Sequence, residues 1–292
     1  MRIGLMTGPD RGRYGQKVAR MVATARAAEA AGFESLWIPQ IPDEFDAMTA
    51  CALMGDATST IEIGTAVVPI QTRHPVAMAQ QALAVQEACQ GRFSLGLGPS
   101  HHWIVEDMLG LRYEKPAVRI RNYLEVLEVA FAGPGPVDVV NEDFTIHNPL
   151  DVTTIGPTPI LLAALAPLML KIAGERTDGT ILWMADERAI AGHVVPKLAE
   201  AAAGVGRPAP RVVAGVPVTL CRDADVDAAR EHANVILAHA EYSPNYQRLL
   251  EEGDARDVGD VLCGGSEEAV RARVERFRDA GVTDFAVRVV PY

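Results

Sequence analysis

The stretch IEIGTAVVPIQTRHPVAMAQQALAVQEACQGRFSLGLGPSHH, residues 61–102, holds two short apolar runs, 61–67 and 93–97, with a helical pattern between them. Each run ends in a bend rich in Gly, Pro, Ser and His. Mostly apolar runs of this length predict buried strands, and a helix joining two of them predicts a parallel βα repeat. Ligands of such folds bind beyond the carboxyl ends of the strands, which is where the polar residues of this stretch collect.

The alternation continues outward on both sides. Residues 2–7 predict a strand, and 16–31 a helix with an apolar stripe at Val18, Met21, Val22, Ala25 and Ala28. Gly32 supplies its C-cap, and 35–38 predict the next strand. Helices are expected at 46–59 and at 75–89, the second with Pro75 in its first position. After the strand at 93–97 comes a long helix, 118–132. The segment GPGPVDVVNEDFTIHNPL, 133–150, then breaks the rhythm: 137–140 and 144–147 flank Asn141, Glu142 and Asp143 and predict an inserted hairpin. Strands at 159–164, 180–184, 211–220 and 285–290 follow, separated by helices at 167–176, 188–203, 224–241, 245–252 and 266–280, the last capped by Ser266. Eight strands alternating with helices predict an α/β fold, a (β/α)8 TIM barrel with residues 1–292 as one domain. No GxGxxG follows the first strand and no GxxxxGK[ST] occurs, which lowers the nucleotide-binding open sheets.

Composition narrows the function. Hydrophobic residues make up 49% of the chain, enough for a large core, and the net charge of −11 argues against a nucleic-acid or anionic-membrane surface. There is no apolar run long enough to span a bilayer, and MRIGLMTGPD lacks the features of a signal peptide. Cys51, Cys89, Cys221 and Cys263 are widely spaced, as expected of free thiols in a reducing cytoplasm.

The residues just beyond each strand form the candidate site. They are Thr7, Gly8 and Pro9; Pro39, Gln40 and Ile41; Thr65, Ala66 and Val67; Gly98, Pro99, Ser100, His101 and His102; Ala164, Leu165, Ala166, Pro167, Leu168 and Met169; then Trp183 and Met184. The lining is apolar with a few amides, hydroxyls and imidazoles, which suits a flat ring system better than a sugar phosphate alone. His74, His101 and His102 do not predict a metal centre, because no carboxylate follows the strands that carry them and the nearest is Glu106. His74 reads as a helix-start residue. The start of the helix at Pro167 is either an anion site built from free N–H groups or merely a tight turn.

Together IGTAVVP, TRHPVAMAQQAL, GRFSLGLGPSHH, ILLAALAPLMLKIAGERTDGTI and AGVTDF resemble the luciferase-like flavin and deazaflavin oxidoreductases, in particular the coenzyme F420-dependent branch related to methylenetetrahydromethanopterin reductase. The resemblance runs from Arg2 to Phe285. It implies a barrel with the cofactor ring at the carboxyl ends of the strands, homodimerisation through outer helices, and hydride transfer between coenzyme F420 and a small organic substrate. It further implies a bulge in the third strand with a non-prolyl cis peptide at Ala66–Val67 backing the ring, beside Thr7, Thr65, Gly98, Ser100 and His101. The family's phosphate loop corresponds to Ala164–Met169, with Gly179 and Thr180 completing it.

Two departures stand out. Leu168 occupies a place where the family often has a basic residue, and Pro39 and Gln40 stand where several deazaflavin dehydrogenases have an Asp-His pair. His101, Gln40 and Ser100 are therefore the expected catalytic side chains, with His101 as the proton donor. A separate F420- or flavin-reducing enzyme would supply reduced cofactor. The alternatives are an FMN-dependent monooxygenase fed by a partner reductase, a non-catalytic flavin-binding protein and, last, a metal-dependent hydrolase. Substrate specificity is expected from the loops 40–46, 104–115 and 241–259, and no recognisable code in them names the substrate.

Overall fold

A computed structural model describes residues 1–8, 15–153, 155–237 and 243–292. In chain order the elements are β1 (Arg2–Met6), α1 (Lys17–Ala30), β2 (Ser35–Ile38), α2 (Ala47–Asp56), β3 (Glu62–Thr65), β4 (Val68–Pro69), α3 (Pro75–Ala88) and β5 (Phe93–Gly98). There follow α4 (Pro116–Phe131), β6 (Val137–Val140), β7 (Thr145–Asn148), β8 (Ile160–Leu162), α5 (Pro167–Arg176), β9 (Gly179–Trp183), α6 (Glu187–Ala189) and α7 (Val195–Gly204). The chain ends with β10 (Arg211–Leu220), α8 (Val226–Leu237), α9 (Pro244–Glu252), α10 (Val258–Val261), β11 (Cys263–Gly265), α11 (Glu267–Asp279) and β12 (Asp284–Val289). The expected continuation of the helix after residue 237 as far as Glu241, and Pro9 after the first strand, lie outside the described residues.

The chain forms two compact units, one of Met1–Thr7 with Ala164–Tyr292 and one of Gly8–Ala163. In the Gly8–Ala163 unit β2 pairs with β3, β3 and β4 with β5, and β5 with β8, all parallel. Every residue of β2 and β5 is buried, so these strands read as mostly apolar runs, interrupted by Ser35 and Ser94, instead of alternating ones. In the other unit β1 pairs with β12, β12 with β10, and β10 with β9 and with the short β11, again parallel. The strand order is β2-β3-β5-β8 in the Gly8–Ala163 unit and β11-β10-β12-β1, with β9 also paired to β10, in the other, parallel strands alternating with helices as the α/β class predicts. The expected hairpin stands between β5 and β8, where β6 and β7 pair antiparallel with Val137 opposite Asn148.

Local chemistry sets the helix boundaries. Asp46 accepts a hydrogen bond from the Thr49 N–H at 2.8 Å and starts α2, and Ser266 does the same for α11 through the Ala269 N–H. Gly32 has φ of 84°, the left-handed conformation expected after α1. His74 caps α3: its Nδ1 accepts from the Val76 N–H at 3.3 Å, in line with its reading as a helix-start residue. At the amino ends of β1, β10 and β12 the buried Asp284 accepts from Arg211 at 2.7 Å and from Arg2 at 3.2 Å, tying three strands together. Among the described residues no helix is long and apolar enough to cross a membrane.

Candidate cofactor site

The Gly8–Ala163 unit departs from regular pairing at the end of its third strand. Ile63 and Gly64 of β3 stand opposite Phe93 and Ser94, whereas Val68 and Pro69 of β4 stand opposite Leu97 and Gly98. Residues 65, 66 and 67 therefore face only 95 and 96, a bulge of one extra residue. The Ala66–Val67 peptide within it is cis, in agreement with the sequence expectation. Ala66 is anchored by its N–H to the Ile38 carbonyl at 2.7 Å, and Ala66 and Val67 both remain half-buried at the carboxyl end of the sheet.

Thr65 makes this bulge possible. Its side-chain hydroxyl accepts from the Gly96 N–H at 2.8 Å and donates to the Gly96 carbonyl at 2.9 Å. The adjacent residues of β5 turn the other way, with the Leu95 N–H bonded to the Pro159 carbonyl and the Leu97 carbonyl to the Ala163 N–H. One side chain thus replaces the ladder bonds that the bulge removes. Residue 96 must be glycine, since a Cβ there would lie 1.9 Å from the Thr65 carbonyl oxygen; at Gly98 it would lie 2.8 Å from a Val67 methyl. The expectation that Thr65 contacts the cofactor is corrected here: its side chain is fully buried and both hydroxyl bonds go to Gly96, so it supports the bulge from behind.

The loop after β5 carries the polar candidates. Ser100 is half-buried with φ of 59°, an uncommon conformation for a residue with a Cβ. Gln71 Nε2 donates to the Pro99 carbonyl at 2.6 Å, and the Tyr113 hydroxyl donates to the Ser100 carbonyl at 3.3 Å. Gln71 Oε1 and Trp103 Nε1 are buried without a hydrogen-bond partner. His101 stacks on Trp103, ring centroids 5.5 Å apart and planes 9° from parallel. Burial, aided by neighbouring His102, holds its pKa below the usual imidazole range, so His101 is neutral at pH 7. A neutral imidazole offers a hydrogen bond; the proton-donor role expected of His101 requires the imidazolium that this environment disfavours. Gln40 is partly committed, because its Oε1 accepts from the Ala47 N–H at 2.9 Å and caps α2. Gln71 and Tyr113 escaped the sequence reading; Gln71 follows the bulge closely, but nothing in the spacing shows which carbonyl it reaches.

In the other unit Ala164–Met169 form a turn into α5, with Ala166 as N-cap, Pro167 at the first position and no side chain capping the free N–H groups. Ala164 is buried, Leu165 and Ala166 half-buried, and Leu168 is exposed, so no basic side chain of the turn meets a ligand. Behind the turn, the buried His193 bonds through Nε2 to the Leu165 carbonyl at 2.8 Å, and Lys197 Nζ lies 3.1 Å from its Nδ1. A carbonyl oxygen only accepts, so Nε2 carries a hydrogen and donates it to Leu165. The Glu252 carboxylate also lies 3.4 Å from this Nδ1, so the network behind the turn reaches a lysine and a glutamate whose charges offset each other.

Gly179 and Thr180 do not complete this turn. They open β9 beyond the far end of α5, whose ten residues span about 15 Å. A βα unit returns each chain direction to the amino end of the next strand, so residues that begin a strand lie away from residues that follow one. Gly179 instead allows close approach to β10, where a Cβ would meet the Arg211 carbonyl at 2.1 Å, and Thr180 is fully buried. Thr7, at the end of β1, is half-buried. Among the described residues no three His, Cys, Asp or Glu side chains gather as a metal ion would need.

Comparison with known proteins agrees with this architecture. A Mycobacterium tuberculosis protein named as a coenzyme F420-dependent oxidoreductase is 32% identical over 196 residues, 61% of this chain and 54% of that protein, so the match spans about half of its length. The 5,10-methylenetetrahydromethanopterin reductase of Methanopyrus kandleri is 27% identical over 314 residues, 93% of this chain and 88% of the reductase. The solved structure of the coenzyme F420-dependent tetrahydromethanopterin reductase from the same organism superimposes with a TM-score of 0.77 at 23% identity, covering 99% of this chain and 92% of that one. The profile of the luciferase-like monooxygenases matches residues 1–284, and the chain belongs to that family.

Proposed function

We propose that the protein is a coenzyme F420-dependent oxidoreductase, a single domain of residues 1–292 that transfers a hydride between the deazaflavin and a small organic substrate with an activated C=O, C=N or C=C bond. The observation that carries the reading is the bulge at Thr65–Val67. It presents a half-buried peptide at the carboxyl end of β3–β4, beside the strand end that bears Ser100 and His101. These groups are an amide, a hydroxyl, a neutral imidazole and aliphatic carbon, a donor set that fits the uncharged face and carbonyl edges of a deazaflavin ring. The relationship to F420-linked relatives supports the choice of cofactor.

When bound, the deazaflavin supplies the carbon that carries the hydride. The chain supplies position and polarity. Ala66 and Val67 back the ring, and Gly98 lets the β5 end approach the bulge. Ser100 gives a hydrogen bond to a ring or substrate oxygen. His101 donates from its neutral ring to the substrate oxygen on which charge develops, as an electrophile that stays neutral throughout. Gln40, with its Oε1 committed to α2, orients substrate through Nε2. The uncapped N–H groups at the start of α5, in the segment Ala164, Leu165, Ala166, Pro167, Leu168 and Met169, hold the cofactor phosphate. Homodimerisation, a cytoplasmic location and a separate enzyme that regenerates the reduced cofactor belong to the same proposal.

Parallel equilibrium titration with F420 and FMN, read by ring fluorescence, tests it. Tighter binding of F420 supports the reading. Preference for FMN, with oxygen consumed when reduced FMN is supplied, would replace it with a monooxygenase. For the role of His101, the measurement is single-turnover oxidation of reduced F420 by His101→Ala, in which an unchanged rate removes that residue from the chemistry.

A further inference from the structure

We propose that Ser100 is a ring-recognition residue held in place by a strap of two positioning residues, Gln71 and Tyr113. The inference rests on the cofactor reading above and adds to it the residues that present the hydroxyl.

Ser100 sits at φ of 59°, in the left-handed region where a Cβ is disfavoured and glycine is the ordinary occupant. The loop is held in that conformation from both sides. Gln71, on the turn that follows the bulge, donates Nε2 to the carbonyl just before Ser100, while Tyr113 donates its hydroxyl to the carbonyl of Ser100 itself. The amide orientation is fixed, because a rotated Gln71 would set its oxygen against the Pro99 oxygen at 2.6 Å. Holding that carbonyl leaves Gln71 Oε1 buried without a partner. Two unfavourable features, a left-handed serine and an orphaned amide oxygen, therefore meet on one loop. Glycine at position 100 would remove the first of them.

Strain of this kind, enforced by its surroundings, points to a residue retained for its side chain. The Ser100 hydroxyl makes no hydrogen bond among the described residues, so it is available to a ligand, and β5 pairs next to β4, the strand leaving the bulge. The ligand chemistry it suits is a carbonyl oxygen or ring N–H at the edge of a pyrimidinedione, the ring edge that deazaflavins and flavins share. Gln71 and Tyr113 touch neither ring nor substrate in this scheme; they act through Ser100.

The test is a set of variants, Ser100→Ala, Ser100→Gly, Gln71→Leu and Ser100→Ala/Gln71→Leu, measured for thermal stability and for F420 affinity by fluorescence titration, with FMN as second probe. Loss of one hydrogen bond predicts about three- to tenfold weaker binding for each Ser100 variant. Ser100→Gly relieves the left-handed serine, so its Tm stays level or rises by up to ~3 °C even as binding weakens. Gln71→Leu weakens binding in the wild-type background and adds nothing in the Ser100→Ala background, because its effect passes through the hydroxyl. Unchanged affinity in Ser100→Ala, a lowered Tm in Ser100→Gly, or losses that add in the double variant would each overturn the proposal. The wild-type titration reports separately on the cofactor: if FMN binds and F420 does not, the F420 reading falls and the same ratios are read with FMN. If neither ring binds, both fall.

Discussion

Replacing Thr65 by valine keeps the shape of the side chain and removes its hydroxyl, a clean perturbation of the bulge. In the native structure that hydroxyl satisfies both the N–H and the carbonyl of Gly96, at 2.8 and 2.9 Å, in a fully buried position. Valine leaves one donor and one acceptor of β5 without partners. At roughly 1–3 kcal/mol for each buried group left unpaired, the cost is about 2–6 kcal/mol. Thr65→Ser keeps the hydroxyl and loses a methyl group, which costs about 1 kcal/mol. The order wild type, serine, valine is the signature of a hydrogen-bonding role; a purely steric role would place valine near wild type. Urea unfolding with a common slope measures it. A valine variant within about 1 kcal/mol of wild type would show that water or a shift of the strand replaces the hydroxyl, and the account of the bulge would be wrong.

Other outcomes follow from the same geometry. Gly96→Ala forces a Cβ to 1.9 Å from the Thr65 carbonyl oxygen, so soluble expression or stability should collapse, whereas Gly98→Ala meets only Val67 and Ala163 side chains and should cost about 1–3 kcal/mol by denaturant titration. Asp284→Asn removes the charge that Arg2 and Arg211 share; because both arginines retain some solvent contact, a loss of about 1–3 kcal/mol is expected, below the cost of breaking a wholly buried pair. For His101 the folded-state pKa is lowered from 6.5 by burial and by His102, so its contribution to stability is intact above 6.5 and is lost as the pH falls toward the folded value. Tm should therefore decline between pH 7 and pH 5 more steeply in wild type than in His101→Asn, and parallel profiles would contradict the assignment.

The fold was legible because its evidence is periodic. Buried parallel strands give mostly apolar runs, and the Pro75, Gly32 and Ser266 signals bracket helices through local chemistry alone. The site was legible only in part. Ala66 and Val67 were reached through family resemblance, since nothing in the apolar run 61–67 reveals a one-residue slip of register; that slip exists only in the pairing with β5. The bond from the Ala47 N–H to Gln40 is not legible in sequence because it depends on how the 41–46 loop folds back. Gly179 and Thr180 went astray because motif adjacency in sequence spans a whole helix in space. Three-residue β11, Cys-Gly-Gly, has too little apolar content to announce a strand, and His193 lies 28 residues from the carbonyl it holds.

The bulge also makes this part of the chain a gauge of length. Side chains in a strand alternate between faces, so the extra residue among 65–67 exchanges the faces of everything from Val68 onward until the turn that carries Gln71. Deleting a single residue here would restore textile-regular pairing and turn the following side chains the wrong way, detaching Gln71 from Pro99. The tip of the β6–β7 hairpin, two residues of which are solvent-facing, has no such counting rule. Natural or engineered insertions should therefore accumulate in the hairpin and be absent from the seven residues between Thr65 and Gln71, counted inclusively, however diverse their side chains become.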